Sequence, residues 1–339
     1  MSKLFTETSF RGGVGYWAKH ILGGMHVLSK PLKKPILIIS SRRGGSTLLM
    51  ELIHSQQGMN YIDQPLCLWH YHPYKSELPS PYLGRFANIG SPQDEKKLLN
   101  FFSGIFFGET RVFSQWNWFR PEYSFVVNRI VVKELDSHAL IEWYAANFDV
   151  DIVFMCRHPI PQSLSIMSRG WGCTGEAFLS NGAFLEKLCL EGVNLEKCKE
   201  IMARGSLLQK MVLEWCFENV IPLRLIGDSP WLSFTYEEMI ARPEKVTCML
   251  AQRLSLPDPE LMASKISSPS KNALSASREM ISRKGPRSIL GRWMKELSAG
   301  EAREAMMPLH EIFELHAYSF DSPFPNEKLC HFGSLQDQE

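Results

Sequence analysis

Three short apolar runs punctuate this chain. Residues 35–40 (PILIIS), 129–134 (RIVVKE) and 151–156 (DIVFMC) are rich in Ile and Val and bounded by turn or charge signals. Continuous runs of this length read as strands buried on both faces. Residues 231–236 (WLSFTY) form a fourth candidate. Helical periodicity follows each run: 46–56, then 137–148 with Ser137 as N-cap, 160–169 opened by Pro161, and 236–254 interrupted around Pro243. Longer helical stretches, 175–190 and 195–220, lie between the third and fourth strands. Apolar strands alternating with helices predict an α/β fold, a central parallel sheet flanked by helices.

Residues 71–92 read as loop, with four prolines, and 264–287 are rich in Ser, Lys and Arg. Helical patterns resume on both sides of each, so neither reads as a domain linker. The expectation is one domain over 1–339, with its core at about 35–300 and a loose tail over 329–339.

Composition narrows the function classes. The 339 residues are 45% hydrophobic and 22% charged, with 37 basic against 36 acidic side chains. A net charge of +1 argues against a nucleic-acid or membrane-surface binder but leaves room for a local basic pocket. Eight cysteines lie scattered without a Cys-x-x-Cys pair, which fits a reducing compartment. The first residues lack the basic head and apolar run of a signal peptide. No window reaches the ~18 apolar residues that crossing a bilayer takes. The expected setting is cytoplasmic, with no membrane span and no nucleic-acid partner.

Residues 40–50, SSRRGGSTLLM, follow the first strand directly. In an open parallel sheet, ligands sit beyond the carboxyl ends of the strands. Gly44 and Gly45 can turn backbone amides inward as an anion nest, Ser46 and Thr47 add hydroxyls, and the helix that starts there offers its positive end. A nucleoside-triphosphate loop needs Gly-Lys-Ser/Thr. None occurs in the chain, and the cation, Arg43, precedes the glycines.

A second basic site follows the third strand. Arg157 stands at its tip, Pro159 and Pro161 open the next helix, and Ser165 falls eight residues after Arg157. An arginine fork and a hydroxyl near a helix N-terminus suit a phosphate. Anion sites at neighbouring strand tips are what a nucleotide with phosphates at both ends of its ribose needs.

Together these segments resemble a family. RRGGSTLL (42–49) resembles the 5′-phosphosulfate loop of sulfotransferases that use 3′-phosphoadenosine 5′-phosphosulfate (PAPS), in its carbohydrate and bacterial form. MCRHPIPQSLS (155–165) resembles the family's 3′-phosphate segment, and FTYEEMIARPEK (234–245) its Tyr-Glu-(Asp/Glu)-Met…Pro element. SRKGPRSILGRWMKELS (282–298) is similar to the Arg-Lys-Gly…Gly-x-Trp segment of cytosolic members. The four stand in the family's order over about 35–298. The resemblance implies the P-loop-like sulfotransferase fold, PAPS as co-substrate, no metal, and a small-molecule, sugar or lipid acceptor.

It further implies roles for individual residues. Arg43, Gly44, Gly45, Ser46 and Thr47 would hold the 5′-phosphosulfate; Arg157 and Ser165, joined by Arg283, Lys284 and Gly285, the 3′-phosphate. Tyr236 would lie near the adenine, and Leu48 stands where cytosolic members carry a stacking tryptophan. Lys133 resembles the lysine that faces the transferred group. The chain also departs from the pattern. Arg-His-Pro replaces Arg-Asp/Asn-Pro at 157–159, and Leu135 takes the place of the cytosolic catalytic histidine.

Sulfuryl transfer asks the protein for positioning and charge stabilisation, here from Arg43 and Lys133, and benefits from a base at the acceptor. Gln64 occupies the position of the carbohydrate-type glutamate and has no basic atom, so Asp63 is the first candidate, followed by His70 and His72, then Glu134 and His138. Cys67, His70 and His72 lack a distant fourth ligand and are not assigned a metal. The aromatic-rich stretches 101–119 and 170–178, including Trp116, Trp118 and Trp171, are candidates for the acceptor pocket. Two other classes stay open: a non-catalytic PAPS-binding protein that has lost its base, and a nucleotide kinase with an aberrant loop. The oligomeric state and the acceptor's identity are not encoded in any motif.

Overall fold

The computed structural model describes residues 18, 21–67, 76, 78–79, 87–112, 114–227, 229–267, 275–326 and 329. Its strands, in chain order, are β1 (Val27–Leu28), β2 (Ile36–Ile39), β3 (Met59–Asp63), β4 (Val126–Val127), β5 (Arg129–Glu134), β6 (Asp151–Cys156) and β7 (Leu232–Thr235). Five of them form one parallel sheet in the order β3-β5-β2-β6-β7, and β1 pairs with β4 apart from it. The α/β architecture with a central parallel sheet is the one the alternating pattern predicts.

The predicted strands occur within a residue of their expected ends. β3, of sequence MNYID, carries no continuous apolar run. It lies at the sheet edge with β5 as its strand partner, and its burial alternates towards its end. An edge strand needs only one apolar face, so its sequence reads weakly.

The predicted helices are shorter or divided. Stretch 175–190 splits into Glu176–Leu179 and Gly182–Leu190, where the Asn181 side chain caps the second. Stretch 195–220 splits into Leu195–Arg204 and Leu207–Arg224, because Gly205 ends one and Ser206 and Gln209 form a capping box on the other. Around Pro243 the chain makes two helices, Tyr236–Ala241 and Pro243–Leu254. Segment 137–148 begins with a 3₁₀ turn (His138–Leu140) before Ile141–Asn147, and Ser137 does not cap it. The Ser137 hydroxyl is instead 2.8 Å from the Tyr144 hydroxyl. Helices Pro259–Ile266 and Ser275–Lys284 occupy part of the segment 264–287 that is rich in Ser, Lys and Arg. Leu329 alone of the expected tail is among the described residues.

Side chains alternate across the sheet, and each face has its own core. Ile36 and Ile38 of β2, Val131 of β5, Val153 and Met155 of β6, and Phe234 of β7 pack with helix Ser46–His54. Leu37, Ile39, Val132, Ile152, Phe154 and Cys156 pack on the opposite face with Phe101, Phe102, Tyr144 and helix Leu207–Arg224. This alternation has a consequence at the strand ends. Continuing the Ser46–His54 face by steps of two reaches Asp63 from β3, Lys133 from β5, Arg157 beyond β6 and Tyr236 beyond β7. Four chemically distinct side chains are thereby brought to one side of one edge. No helix of the described residues is long and apolar enough to cross a membrane.

Candidate functional site

The loop after β2 is built by its glycines. Gly45 has φ 97° and stands at the N-cap of helix Ser46–His54, where it supplies no capping side chain. Gly45 thus leaves the start of that helix without a side-chain cap, at the end where an anion is favoured. A β-carbon on Gly45 would fall 2.3 Å from Cδ2 of Tyr236, so the ring of Tyr236 packs directly on the loop backbone. Gly44 closes a turn, its N–H donating to the Ser41 carbonyl at 3.0 Å, rather than adding an amide to the nest. A β-carbon there would meet Ser40 Oγ at 2.7 Å. Arg43, although not glycine, adopts φ 62°. A left-handed arginine costs on the order of 1 kcal/mol and is characteristic of sites where the backbone is held for a ligand.

Arg43 joins the two predicted anion sites. Its Nε donates to Ser165 Oγ at 3.0 Å, and Arg157 Nη1 donates to the Arg43 carbonyl at 3.1 Å. The Arg157 guanidinium also lies 4.6 Å from the centre of the Tyr236 ring. Burial, then the charges of Arg169 and Arg157, hold Arg43 down to about 10. The like charges of Arg169 and Arg157 thus both bear on Arg43. Among the described residues, buried Arg157 Nε, Ser40 Oγ and Gln162 Oε1 find no hydrogen-bond partner.

The Arg-His-Pro departure has a local explanation. His158 is fully buried, and its Nδ1 accepts from the Ile160 N–H at 3.2 Å, so it caps helix Pro159–Met167 as an Asp or Asn would. Its Nε2 lies 3.0 Å from the Ser319 carbonyl and its ring 4.7 Å from that of Trp293. Burial pushes the imidazole down to about 3. The His158 N–H donates to Glu237, which also accepts from the Tyr318 hydroxyl at 3.0 Å. A histidine at this position ties the segment after β6 to the C-terminal segment, which a shorter side chain would not reach.

On the other side of β2, the register sets Lys133 opposite Ile38 and Asp63 opposite Lys133. Lys133 is 1% exposed, and its Nζ lies 2.6 Å from Asp63 Oδ1 and 3.2 Å from Thr47 Oγ1. One ammonium therefore spans Asp63 and the glycine loop. Gln64, at φ 57°, donates from Nε2 to Asp63 Oδ1 at 3.1 Å and from its backbone N–H to the Lys133 carbonyl at 2.7 Å. It orients the carboxylate.

The remaining candidates fall elsewhere. Glu134 points to the opposite face, is fully buried, and accepts from the Leu135 and Asp136 N–H groups. Burial and the charge of Asp136 push its carboxyl up to about 8. His138, also buried, lies 3.4 Å from Ser41 Oγ, behind the loop. His70 and His72 lie outside the described residues. Arg283 is 74% exposed on its side chain and pairs with Glu279, one turn earlier, at 2.9 Å. Lys284 ends the same helix and is exposed, and Gly285 follows at φ 79°. Leu48 is buried in the core on the Ser46–His54 face, and Ser46 is buried at the start of the helix. Of the aromatics expected at the acceptor, Phe101, Phe102 and Phe178 are core residues, while Trp116 and Trp118 are partly exposed. No three His, Cys, Asp or Glu side chains of the described residues gather as a metal centre requires.

Helix Leu207–Arg224 contributes anchors that no motif announced. Glu214 pairs with Arg42 at 2.7 Å, Trp215 Nε1 donates to the Arg157 carbonyl at 2.9 Å, and Asn219 Nδ2 donates to Ser41 Oγ at 3.1 Å. All three lie within six residues of one buried helix, so a single element fixes both anion loops. The available signal was Glu214, Glu218 and Asn219 within the largely apolar stretch 211–223.

No protein-family model matches this chain, and no curated protein matches it. Among solved structures, it is similar to mouse sulfotransferase SULT7A1 complexed with PAP, at 16% sequence identity and a TM-score of 0.40, over 88% of this chain and 91% of that one.

Proposed function

We propose that this protein is a PAPS-dependent sulfotransferase acting on a hydroxyl or amine of a small-molecule, sugar or lipid acceptor. The observation that carries this reading is the convergence of Arg43, Arg157 and Lys133, with the Ser165 and Thr47 hydroxyls, on a lysine-free glycine loop at a helix N-terminus. The donor set is cations, hydroxyls and amides, which suits an anion held without a metal bridge. The unpartnered Arg157 Nε adds a buried donor with a bond still to make. Asp63 is engaged by Lys133, and no three His, Cys, Asp or Glu side chains gather among the described residues, which favours this reading over a magnesium-dependent kinase.

PAPS supplies a sulfuryl group on a phosphate leaving group. The Ser46–His54 N-terminus and Arg43 would hold the 5′ side, and Arg157 and Ser165 the 3′ side. Lys133 stands where charge develops at the transferred group and acts from a buried, fixed position. Asp63 would take the acceptor's proton, since its side chain keeps 21% exposure while Gln64 and Lys133 hold Oδ1.

The test is calorimetric titration with 3′-phosphoadenosine 5′-phosphate (PAP), followed by labelled-sulfate transfer from PAPS to a broad acceptor library. Binding that Arg43→Ala abolishes, with a sulfated product, is the expected result. Absence of PAP binding removes the proposal; binding without transfer to any acceptor identifies a non-catalytic nucleotide-binding protein.

A further inference from the structure

We propose that the strand pair β1–β4, with the aromatic turn that precedes β4, is a peripheral docking surface for a bilayer carrying anionic lipid. This surface is separate from the candidate site: β4 leads into β5 at its amino end, whereas Lys133 stands near the other end of that strand.

The strand pair turns apolar side chains outward. β1 and β4 run parallel, with Val27 beside Val126. Their successors Leu28 and Val127 pack into the core, so alternation leaves Val27 and Val126 facing out, each more than half exposed. Phe125, whose carbonyl accepts the Val27 N–H at 2.7 Å, is more than half exposed as well, and Met25 nearly half.

The turn adds two aromatic rings. The Arg120 N–H donates to the Asn117 carbonyl at 3.1 Å, and the Phe119 N–H to Asn117 Oδ1 at 3.2 Å. Trp118 and Phe119 are the central residues of this turn, positions that Gly, Pro, Asn, Asp and Ser ordinarily hold. Phe119 is 87% exposed, and its ring centre lies 5.8 Å from that of Trp118. A ring so exposed adds little to the core, whereas entry into an apolar layer would remove its surface from water.

Charge selects the occupant. Stretches 21–34 and 114–128 carry Lys30, Lys33, Lys34 and Arg120 against a single carboxylate, Glu122. Glu122 is paired with Lys265 at 2.9 Å, and Lys34 with Asp149 at 2.9 Å. Lys30, Lys33 and Arg120 are exposed and, among the described residues, have no acidic partner. A second copy of the chain would set these cations against their own kind. An anionic bilayer surface attracts them while the aromatic rings enter its interfacial layer. The whole-chain charge of +1 conceals this local excess.

The experiment is co-sedimentation of the full chain with sucrose-loaded vesicles, made of phosphatidylcholine alone or with phosphatidylserine added. The chain is expected to sediment with the mixed vesicles, to stay in solution with phosphatidylcholine alone, and to be released by about 1 M salt, which screens charges within about 3 Å. Phe119→Ser and Arg120→Glu should each weaken binding to the mixed vesicles by roughly 10-fold. Both side chains are exposed, so both variants should keep the parent's melting temperature, which separates lost docking from lost fold. No sedimentation with the mixed vesicles, or sedimentation that both substitutions leave unchanged, overturns the proposal. So does a dimer in velocity ultracentrifugation that Phe119→Ser dissociates, since the face would then belong to a second copy. None of these outcomes bears on nucleotide binding, which the PAP titration tests by itself.

Discussion

Lys133 Nζ sits 2.6 Å from Asp63 Oδ1 and 3.2 Å from Thr47 Oγ1, so a single buried ammonium connects an acidic side chain on the edge strand to the anion loop. Asp63→Asn should lower sulfuryl transfer by about 10²-fold or more, the usual contribution of a general base, while PAP affinity changes little. Single-turnover rates read beside PAP titrations separate the two effects. A variant that transfers at the parent's rate rejects Asp63 as the base. Asp63→Ala should additionally destabilise the fold by about 2 kcal/mol, since it strips the partner from a buried cation.

Lys133→Ala should spare nucleotide binding and lose transfer, because Arg43, Arg157 and Ser165 remain in place. A loss on the order of 10²-fold in the chemical step is expected from removing one positioned charge. Equal losses in PAP affinity and rate would move Lys133 from the transferred group to ground-state binding.

Gly45→Ala should disable the loop. The new methyl would fall 2.3 Å from Tyr236 Cδ2 and would have to hold φ 97°. Destabilisation of about 2 kcal/mol or more is expected, with PAP binding lost. Pairing it with Tyr236→Ala removes the collision but not the backbone strain, so recovery should be partial. Denaturant titrations of both variants measure this.

His158 should tolerate Asp better than Ala. Ala loses the helix cap, about 1 kcal/mol, together with the ties to Ser319 and Trp293, whereas Asp can restore the cap alone. The expected order of melting temperature is parent, Asp, Ala. Equal melting of Asp and Ala would show that the cap contributes nothing.

Glu134 should make stability fall as pH rises from about 4.5 to about 8. Its folded carboxyl lies up at about 8, against an ordinary 4.5, so the folded state holds a proton that the unfolded chain releases. Stability from this group is full below pH 4.5 and is lost as pH rises towards about 8. His158 has the opposite sign: held down to about 3, it gives full stability above its ordinary 6.5 and loses it towards about 3. Glu134→Gln should therefore remove a decline that spans about pH 4.5 to 8, steepening the His158 rise between about 4.5 and 6.5 and flattening the fall between about 6.5 and 8. Melting temperatures across pH 3–9 would show it; an unaltered alkaline slope would reject the assignment.

Local order was legible in the sequence. Runs rich in Ile and Val at 35–40, 129–134 and 151–156 mark central strands, because a strand covered on both faces is apolar along most of its length. The glycine pair and the eight-residue spacing from Arg157 to Ser165 likewise mark the loop and the following helix, since turn geometry and helix starts depend on neighbouring residues. What the sequence could not determine was which strand tips would be neighbours. Strand order, with β2 between β5 and β6, follows from packing two apolar faces against helices, and no local propensity carries it. That order brings Lys133, 86 residues away along the chain, to Thr47, and Arg157 to Arg43. The same packing sets Glu134 on the far face, one residue from Lys133, because successive side chains of a strand point to opposite sides.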